Sequence, residues 1–219
     1  MNWNIQVRVN QLSMIEHNRR LLFMETKKEI RKLRLANRDE LTPLERREKS
    51  KEITKRVTSF SAFCESNKVL LFASYKSEVE TKEIIETAFV MNKQVYLPKV
   101  KGETMEFYRV FPDMRLKDGY CGIQEPEENA FFEFIPQKEE KIFILLPGAV
   151  FDEEGGRIGY GKGFYDRFLQ QLEQQIKKEN ICKMAVAFEC QIVEKGRIQK
   201  ETHDILPNVI VTEDRVISC

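Results

Sequence analysis

Apolar positions recur along this chain with two different periods. Over residues 25–38 they fall at helical spacing within a basic segment, and Ile30 and Leu33 are predicted to face inward. Thr42-Pro43-Leu44-Glu45 reads as a helix start. Thr42 caps, Pro43 takes the first helical position and Glu45 completes a capping box. The helix it opens runs to about Phe60 and turns Ile53, Val57 and Phe60 to one side. Residues 69–73 predict a buried strand. Thr81 is expected to cap the next helix, with Ile84, Ile85, Ala88 and Phe89 on its inner face. Residues 94–97 predict a strand stopped by Pro98, and 106–110 another. Residues 112–140 carry Gly119, Gly122, Pro126 and Pro136 and read as loops. An apolar strand at 142–146 leads into a glycine-rich stretch. A helix at 163–178 follows, with the phase Phe168, Leu172, Ile176. Residues 184–188 and 209–212 are late strands, and 215–218 pairs at an edge.

Strands alternate with helices, and several strands are apolar throughout. That pattern predicts an α/β fold of three layers, a mainly parallel sheet with helices on both faces. No internal repeat, low-complexity segment or long linker divides the chain, so residues 24–219 read as one domain. Residues 1–23 lack the periodicity and read as a disordered or non-native extension. A targeting segment is the alternative there, because Arg8, Arg19 and Arg20 outnumber Glu16. Ligands of such folds bind beyond the carboxyl ends of strands. The loops after residues 73 and 146 both lie there, which puts Glu78 and the glycine-rich stretch at one cleft.

That stretch holds five glycines, Gly155, Gly156, Gly159, Gly161 and Gly163. Strand, glycine loop and helix in that order aim backbone N–H groups at a phosphate. Arg157 and Lys162 supply positive charge within the loop, and Asp166 lies just beyond it, placed to hold a metal ion. A plain hairpin connection is the alternative. Against it, polar and aromatic residues separate the glycines, and an amphipathic helix follows directly. The spacing is neither that of a P-loop nor that of a dinucleotide fingerprint.

Composition narrows the classes. The chain has 219 residues and no apolar run of membrane-spanning length. Cys64, Cys121, Cys182, Cys190 and Cys219 are odd in number and scattered, which reads as reduced thiols of a cytoplasmic protein. Two histidines exclude a histidine-rich metal centre. Net charge is +1, yet residues 19–56 hold 14 Lys or Arg against 7 Asp or Glu. Acidic residues interleave with these bases and aromatics are few. The segment therefore reads as a solvated helix face, and its simplest partner is a small polyanion such as ATP rather than nucleic acid.

Residues 146–169, LPGAVFDEEGGRIGYGKGFYDRFL, resemble the signature of the 5-formyltetrahydrofolate cyclo-ligase (5,10-methenyltetrahydrofolate synthetase) family. Two weaker parts of that family's pattern appear in order, Lys27-Lys28-Glu29-Ile30-Arg31 and Ser77-Glu78-Val79-Glu80-Thr81. The resemblance spans most of the chain. It implies a monomeric enzyme that uses ATP and Mg²⁺ to convert 5-formyltetrahydrofolate to 5,10-methenyltetrahydrofolate, releasing ADP and phosphate. It needs neither a nucleic acid nor a membrane partner.

The residue roles follow from the same resemblance. Lys27, Lys28 and Arg31 are expected to reach ATP, together with Arg157, Ile158, Gly159, Tyr160, Gly161, Lys162, Gly163 and Phe164. Arg157 and Lys162 are the catalytic candidates. Ala73, Glu78, Gly159, Gly161, Gly163 and Tyr165 are expected around the folate, with Glu78 accepting hydrogen bonds from the pterin. Asp166 matches a Mg²⁺ position. The family's second acid is replaced here by Asn208, within His203-Asp204-Ile205-Leu206-Pro207-Asn208, so Asp204 is the alternative ligand. Two other readings stay open: a kinase or sugar-phosphate enzyme on a similar scaffold, and a catalytically silent relative that binds nucleotide or folate.

Overall fold

The structure, a computed structural model, describes residues 26–129, 132–201 and 204–219. The predicted extension at residues 1–23 lies outside them. Its helices are α1 (Lys27–Asp39), α2 (Pro43–Thr58), α3 (Ser61–Glu65), α4 (Lys82–Val90) and α5 (Phe164–Gln175). The strands of the main sheet are β1 (Lys68–Leu70), β2 (Gln94–Lys101), β3 (Thr104–Val110), β6 (Ile142–Leu146), β9 (Ile181–Val186), β11 (Val209–Val211) and β12 (Val216–Ser218). A second sheet joins β7 (Val150–Asp152), β8 (Arg157–Ile158) and β10 (Ile192–Val193), and β4 (Lys117–Asp118) pairs with β5 (Gln124–Glu125).

The main sheet runs β12-β11-β9-β6-β1-β2-β3. Its five inner strands are parallel, and β12 and β3 close the edges antiparallel. Side chains alternate across it, as a pleated strand requires. Phe143 and Leu145 face one way, with Ile53 and Val57 of α2 and Ile84 and Ala88 of α4. Ile142, Ile144 and Leu146 face the other, with Leu169 and Leu172 of α5. This is the predicted three-layer arrangement. From β1 the chain builds outward to β2 and β3, and from β6 it builds the other way to β9 and β11. The order therefore reverses between β1 and β6, and a crevice opens beyond their carboxyl ends.

Several local expectations are corrected. Leu33 is exposed, while Ile30 of the same helix is buried. The second helix stops at Thr58, and Phe60 begins α3 instead of ending α2. Pro98 does not end its strand. β2 pairs with β1 only as far as Tyr96, so Pro98 lies where one side of β2 is open and no ladder bond needs its missing N–H. Thr81 precedes α4 but does not cap it. Its hydroxyl donates to the Phe72 carbonyl at 2.6 Å and accepts from the Ser74 amide at 3.0 Å, tying down the loop after β1. The predicted capping box of Thr42 and Glu45 is formed, and Thr26 and Glu29 make another at the start of α1. Among the described residues no helix is long and apolar enough to cross a membrane.

The largest departure is the hairpin β7–β8. The glycine stretch does not run straight from strand to helix; its first half is a turn. Asp152 is fully buried, and its Oδ1 accepts from the amides of Glu154 at 3.0 Å and Gly156 at 2.7 Å. Its Oδ2 accepts from the Ile198 amide at 3.2 Å. A Cβ on Gly156 would stand 2.6 Å from that carboxylate. Gly155 and Gly156 thus shape the hairpin, and Gly159, Gly161 and Gly163 are left to the cleft.

Candidate active site

Helix α1 lies across the small sheet, with Ile30 packed among Ala149, Val150, Ile158, Val193 and Ile198. Its basic residues Lys27, Arg31, Arg34 and Arg38 follow at intervals of four, three and four, which is one stripe of a helix. The stripe faces inward, contrary to the solvated face expected of it. Lys27 Nζ stands 2.7 Å from Glu201 Oε1 and 3.6 Å from Asp204 Oδ2. Burial alone would lower the Lys27 pKa, but these two acids hold it above its ordinary value. Arg31 Nη1 donates to the Gly159 carbonyl at 3.4 Å, and Arg34 Nη1 to the Cys190 carbonyl at 3.3 Å. Lys28 is on the exposed side of the same helix and does not join the stripe.

Arg38 reaches deepest and is 4% exposed. Its Nε donates to Ser77 Oγ at 3.0 Å and its Nη1 to the Tyr160 hydroxyl at 2.8 Å. Ser77 in turn donates to Asp39 Oδ1. The Tyr160 hydroxyl donates to Glu78 Oε1 at 2.5 Å, and the Tyr75 amide donates to Glu78 Oε2 at 2.9 Å. Burial pushes the Glu78 carboxyl above the usual carboxylate range, against the opposing effects of the Tyr160 hydroxyl, the Tyr75 amide and the Arg38 charge. Burial and the neighbouring Glu78 also push the Tyr160 and Tyr165 phenols up. The loop after β1 and the glycine loop, which follows β8 rather than β6 directly, therefore meet through Tyr160 and Glu78 at the predicted cleft. Arg38 and Ser77 escaped that prediction; the four-three-four spacing of α1 is the signal that could have pointed to Arg38.

The second half of the glycine stretch crosses this crevice. Gly161 and Gly163 have φ of +90° and +66°, and Gly163 immediately precedes α5. Such angles are costly for residues with a Cβ. A Cβ on Gly161 would also lie 3.4 Å from Arg31 Nη1. Lys162 is exposed at the tip of this loop. Arg157 is not a free phosphate donor. Its side chain is 7% exposed, and Nη2 pairs with Asp166 Oδ1 at 2.6 Å. Asp166 Oδ1 also accepts from the Ile205 amide at 3.4 Å.

Other expected site residues divide. Ala73 is half-buried in the loop after β1. Phe164 meets Tyr120 edge-on at 5.7 Å with the Arg167 guanidinium over its ring, and stays half-buried at the mouth of the crevice. Tyr165 packs against Phe107 in the core, with its hydroxyl buried and without a hydrogen-bond partner. The Ile158 side chain is a core residue, so only its backbone faces the hairpin. Asn208 immediately precedes β11, and its Oδ1 accepts from the Lys183 amide at 2.9 Å beside the middle of β9. His203 lies outside the described residues. Among the described residues no group of three acidic, histidine or cysteine side chains could hold a metal ion. Asp166 does suit a cation held mostly by phosphate oxygens, since its hydrogen bonds among the described residues fall on Oδ1 alone.

Residues 23–213 match the family model described as the 5-formyltetrahydrofolate cyclo-ligase family. The 5-formyltetrahydrofolate cyclo-ligase of Haemophilus influenzae is 33% identical over 169 residues, covering 76% of this chain and 85% of that protein. The structure of a 5,10-methenyltetrahydrofolate synthetase from Aquifex aeolicus has a TM-score of 0.71 at 34% identity, over 88% of this chain and 92% of that one. A synthetase of the same name from Mycoplasma pneumoniae, at 22% identity and a TM-score of 0.64, shares the fold, over 86% of this chain and 99% of that one.

Proposed function

The chain belongs to the 5-formyltetrahydrofolate cyclo-ligase family, and from that premise we propose that it cyclises 5-formyltetrahydrofolate to 5,10-methenyltetrahydrofolate with ATP as the activating substrate. The observation that carries this reading is the meeting of the glycine loop with Glu78 through Tyr160. A phosphate-binding backbone and a half-buried acceptor for ring N–H groups then share one crevice.

A formamide oxygen is a poor leaving group. In the proposed reaction it attacks the γ-phosphorus of ATP, the bridging P–O bond breaks, and ADP departs with that electron pair. N10 then attacks the activated formyl carbon. Phosphate leaves with the C–O electrons, and the N10 proton is lost as the ring closes. No covalent enzyme nucleophile is needed, so the chain's task is placement and charge balance.

The residues divide that task. The amides of the loop at Gly159, Gly161 and Gly163 approach phosphate oxygens without a Cβ in the way. Lys27 and Arg31 flank it from α1, and Lys162 brings an exposed charge from the loop tip. Arg157 holds Asp166 in place, and Asp166 is the residue for Mg²⁺, which when bound neutralises phosphate charge. Glu78 accepts from the pterin, and its half-buried setting strengthens those bonds. Phe164 offers an aromatic face at the mouth. Residues 24–219 are taken to act as one monomeric, cytoplasmic catalytic unit.

The test uses purified protein with 5-formyltetrahydrofolate, ATP and Mg²⁺. Methenyl absorbance in the near ultraviolet should grow, with one ADP released per ring closed. ADP release without the absorbance would replace this reading with a different phosphoryl transfer. Folate and nucleotide binding without either product would make the chain a silent relative.

A further inference from the structure

Arg38 is a buried cation whose charge the protein leaves without a direct carboxylate partner among the described residues. Nε and Nη1 go to two neutral hydroxyls, Ser77 and Tyr160. Nη2, with two N–H groups, has no hydrogen-bond partner among the described residues. A guanidinium held this way at 4% exposure is costly unless something else completes it. Arg38 and Glu78 line one small cavity, with Phe72, Val79, Pro147 and Gly148, at the reversal point of the sheet. The cavity thus presents a carboxylate acceptor beside an unused, permanently charged donor.

That pairing has a chemical complement. The pyrimidine edge of a 2-amino-4-oxo pteridine offers two adjacent N–H donors, the 2-amino group and N3, followed by the 4-oxo acceptor. A carboxylate alone matches only the two donors. A donor beside it completes the edge, and it rejects rings that carry an amino group at position 4. Arginine suits the task because it keeps its charge at any pH the protein meets and presents its donors in a fixed plane. Ser77 and Tyr160 hold that plane by its other two nitrogens.

We infer that Arg38 is a specificity-determining residue, whose Nη2 donates to the 4-oxo oxygen of the pterin ring while Glu78 accepts from N3 and the 2-amino group. This rests on the folate reading proposed above and names the part of the ligand that the crevice reads. It also gives a reason for the basic stripe of α1 to end in a buried residue. Lys27 and Arg31 stand toward the phosphate loop, and Arg38 stands toward the ring.

The experiment compares equilibrium binding of 5-formyltetrahydrofolate and its 4-amino-4-deoxy counterpart to the wild-type chain, Arg38→Gln and Arg38→Lys. Wild type should prefer the 4-oxo compound by about tenfold or more, because an amino group there leaves a buried donor unpaired. Arg38→Gln, whose amide can also accept, should shrink that preference to about threefold or less, chiefly by weakening the 4-oxo compound. Arg38→Lys keeps the charge without the plane and should fall between the two. Equal weakening of both compounds in both variants would make Arg38 a purely structural residue and overturn the inference. A wild-type protein that binds both compounds equally would overturn it as well. Failure of the wild type to bind either pterin would refute the folate reading itself, which keeps the two claims separate. Thermal melting of each variant checks the fold, and Arg38→Lys carries the test if Arg38→Gln does not fold.

Discussion

Removing the Asp166 carboxylate should cost stability as well as activity, and the two losses can be separated. Arg157 is almost fully buried, and its one close ionic contact among the described residues is Asp166 Oδ1 at 2.6 Å. Its remaining contact is a long 3.4 Å bond to the Pro147 carbonyl, and its Nε has no partner. Asp166→Ala therefore strands a buried guanidinium. Breaking a fully buried pair costs roughly 3–5 kcal/mol. The Asp166 side chain is 25% exposed, so water can enter where it stood. We expect about 2–3 kcal/mol, which for a chain of this size lowers Tm by roughly 4–12 °C. Arg157→Met alone leaves a partly hydrated carboxylate and should cost less. The double variant Arg157→Met, Asp166→Ala should be more stable than the sum of the single losses predicts, with a coupling of about 1 kcal/mol or more. Denaturant melts of the four proteins measure this. Coupling under about 0.5 kcal/mol would refute the reasoning, because the pair would then be an incidental contact. In turnover, Asp166→Asn should lose at least about tenfold, near 1.4 kcal/mol of barrier, and should need more Mg²⁺ for half-maximal rate.

Glu78→Gln should raise thermal stability at neutral pH while weakening folate binding. Burial raises the Glu78 pKa in the folded chain, so the wild type loses stability as pH rises from the unfolded carboxyl value through the higher folded value. The stabilising effect of the substitution should therefore vanish in acid; a constant gain at all pH values would contradict it. Gly161→Val should abolish ATP-dependent turnover at a cost of about 1–3 kcal/mol in stability, since φ is +90° there, and wild-type turnover in this variant would make the loop a mere connector. Asn208→Asp should leave the Mg²⁺ requirement unchanged, because the side-chain oxygen at 208 is taken by the Lys183 amide; a lowered requirement in a magnesium titration would restore it as a ligand position. A chain beginning at Met24 should keep wild-type turnover and Tm, and a loss of several degrees would show that residues 1–23 pack on the domain.

The layers of the fold were legible because its strands are buried on both faces and its helices on one. Ile142 to Leu146 are all fully buried, and a continuous apolar run reports that directly. What was not legible is short or depends on neighbours. Strands β7 and β8 have three and two residues, too few for any period to show. Whether Pro98 ends a strand depends on where β1 stops, which is a fact about another segment. Thr81 looks like a cap in sequence, yet the Phe72 carbonyl competes for its hydroxyl across nine residues. In the site, the glycine loop was found by pattern, and Glu78 by its place after an early strand together with the family resemblance. Arg38 was missed because a basic helix face ordinarily turns outward, and only the packing of Ile30 onto the small sheet reverses that expectation.

The inward turn of that face has an energetic consequence. Several groups that the proposed function assigns to a ligand already have a protein partner: Lys27 with Glu201, Arg157 with Asp166, and Tyr160 with Glu78. These contacts offset part of the cost of desolvating charge, and they hold the crevice in shape before anything binds. The affinity for ATP or folate is then a difference, the new contact minus the internal one it replaces. Lys27 illustrates the scale of that exchange. Its two acids already raise its pKa, so phosphate must compete with carboxylates that are more exposed, and hence more strongly screened, than a buried pair. Glu201 is half exposed and returns readily to water, whereas Arg157 and Asp166 are held more tightly. The exchangeable contacts thus lie at the α1 end of the crevice and the fixed ones under the glycine loop, which is the arrangement the proposed reaction calls for: a nucleotide that displaces weak contacts and a transferring phosphate held by firm ones.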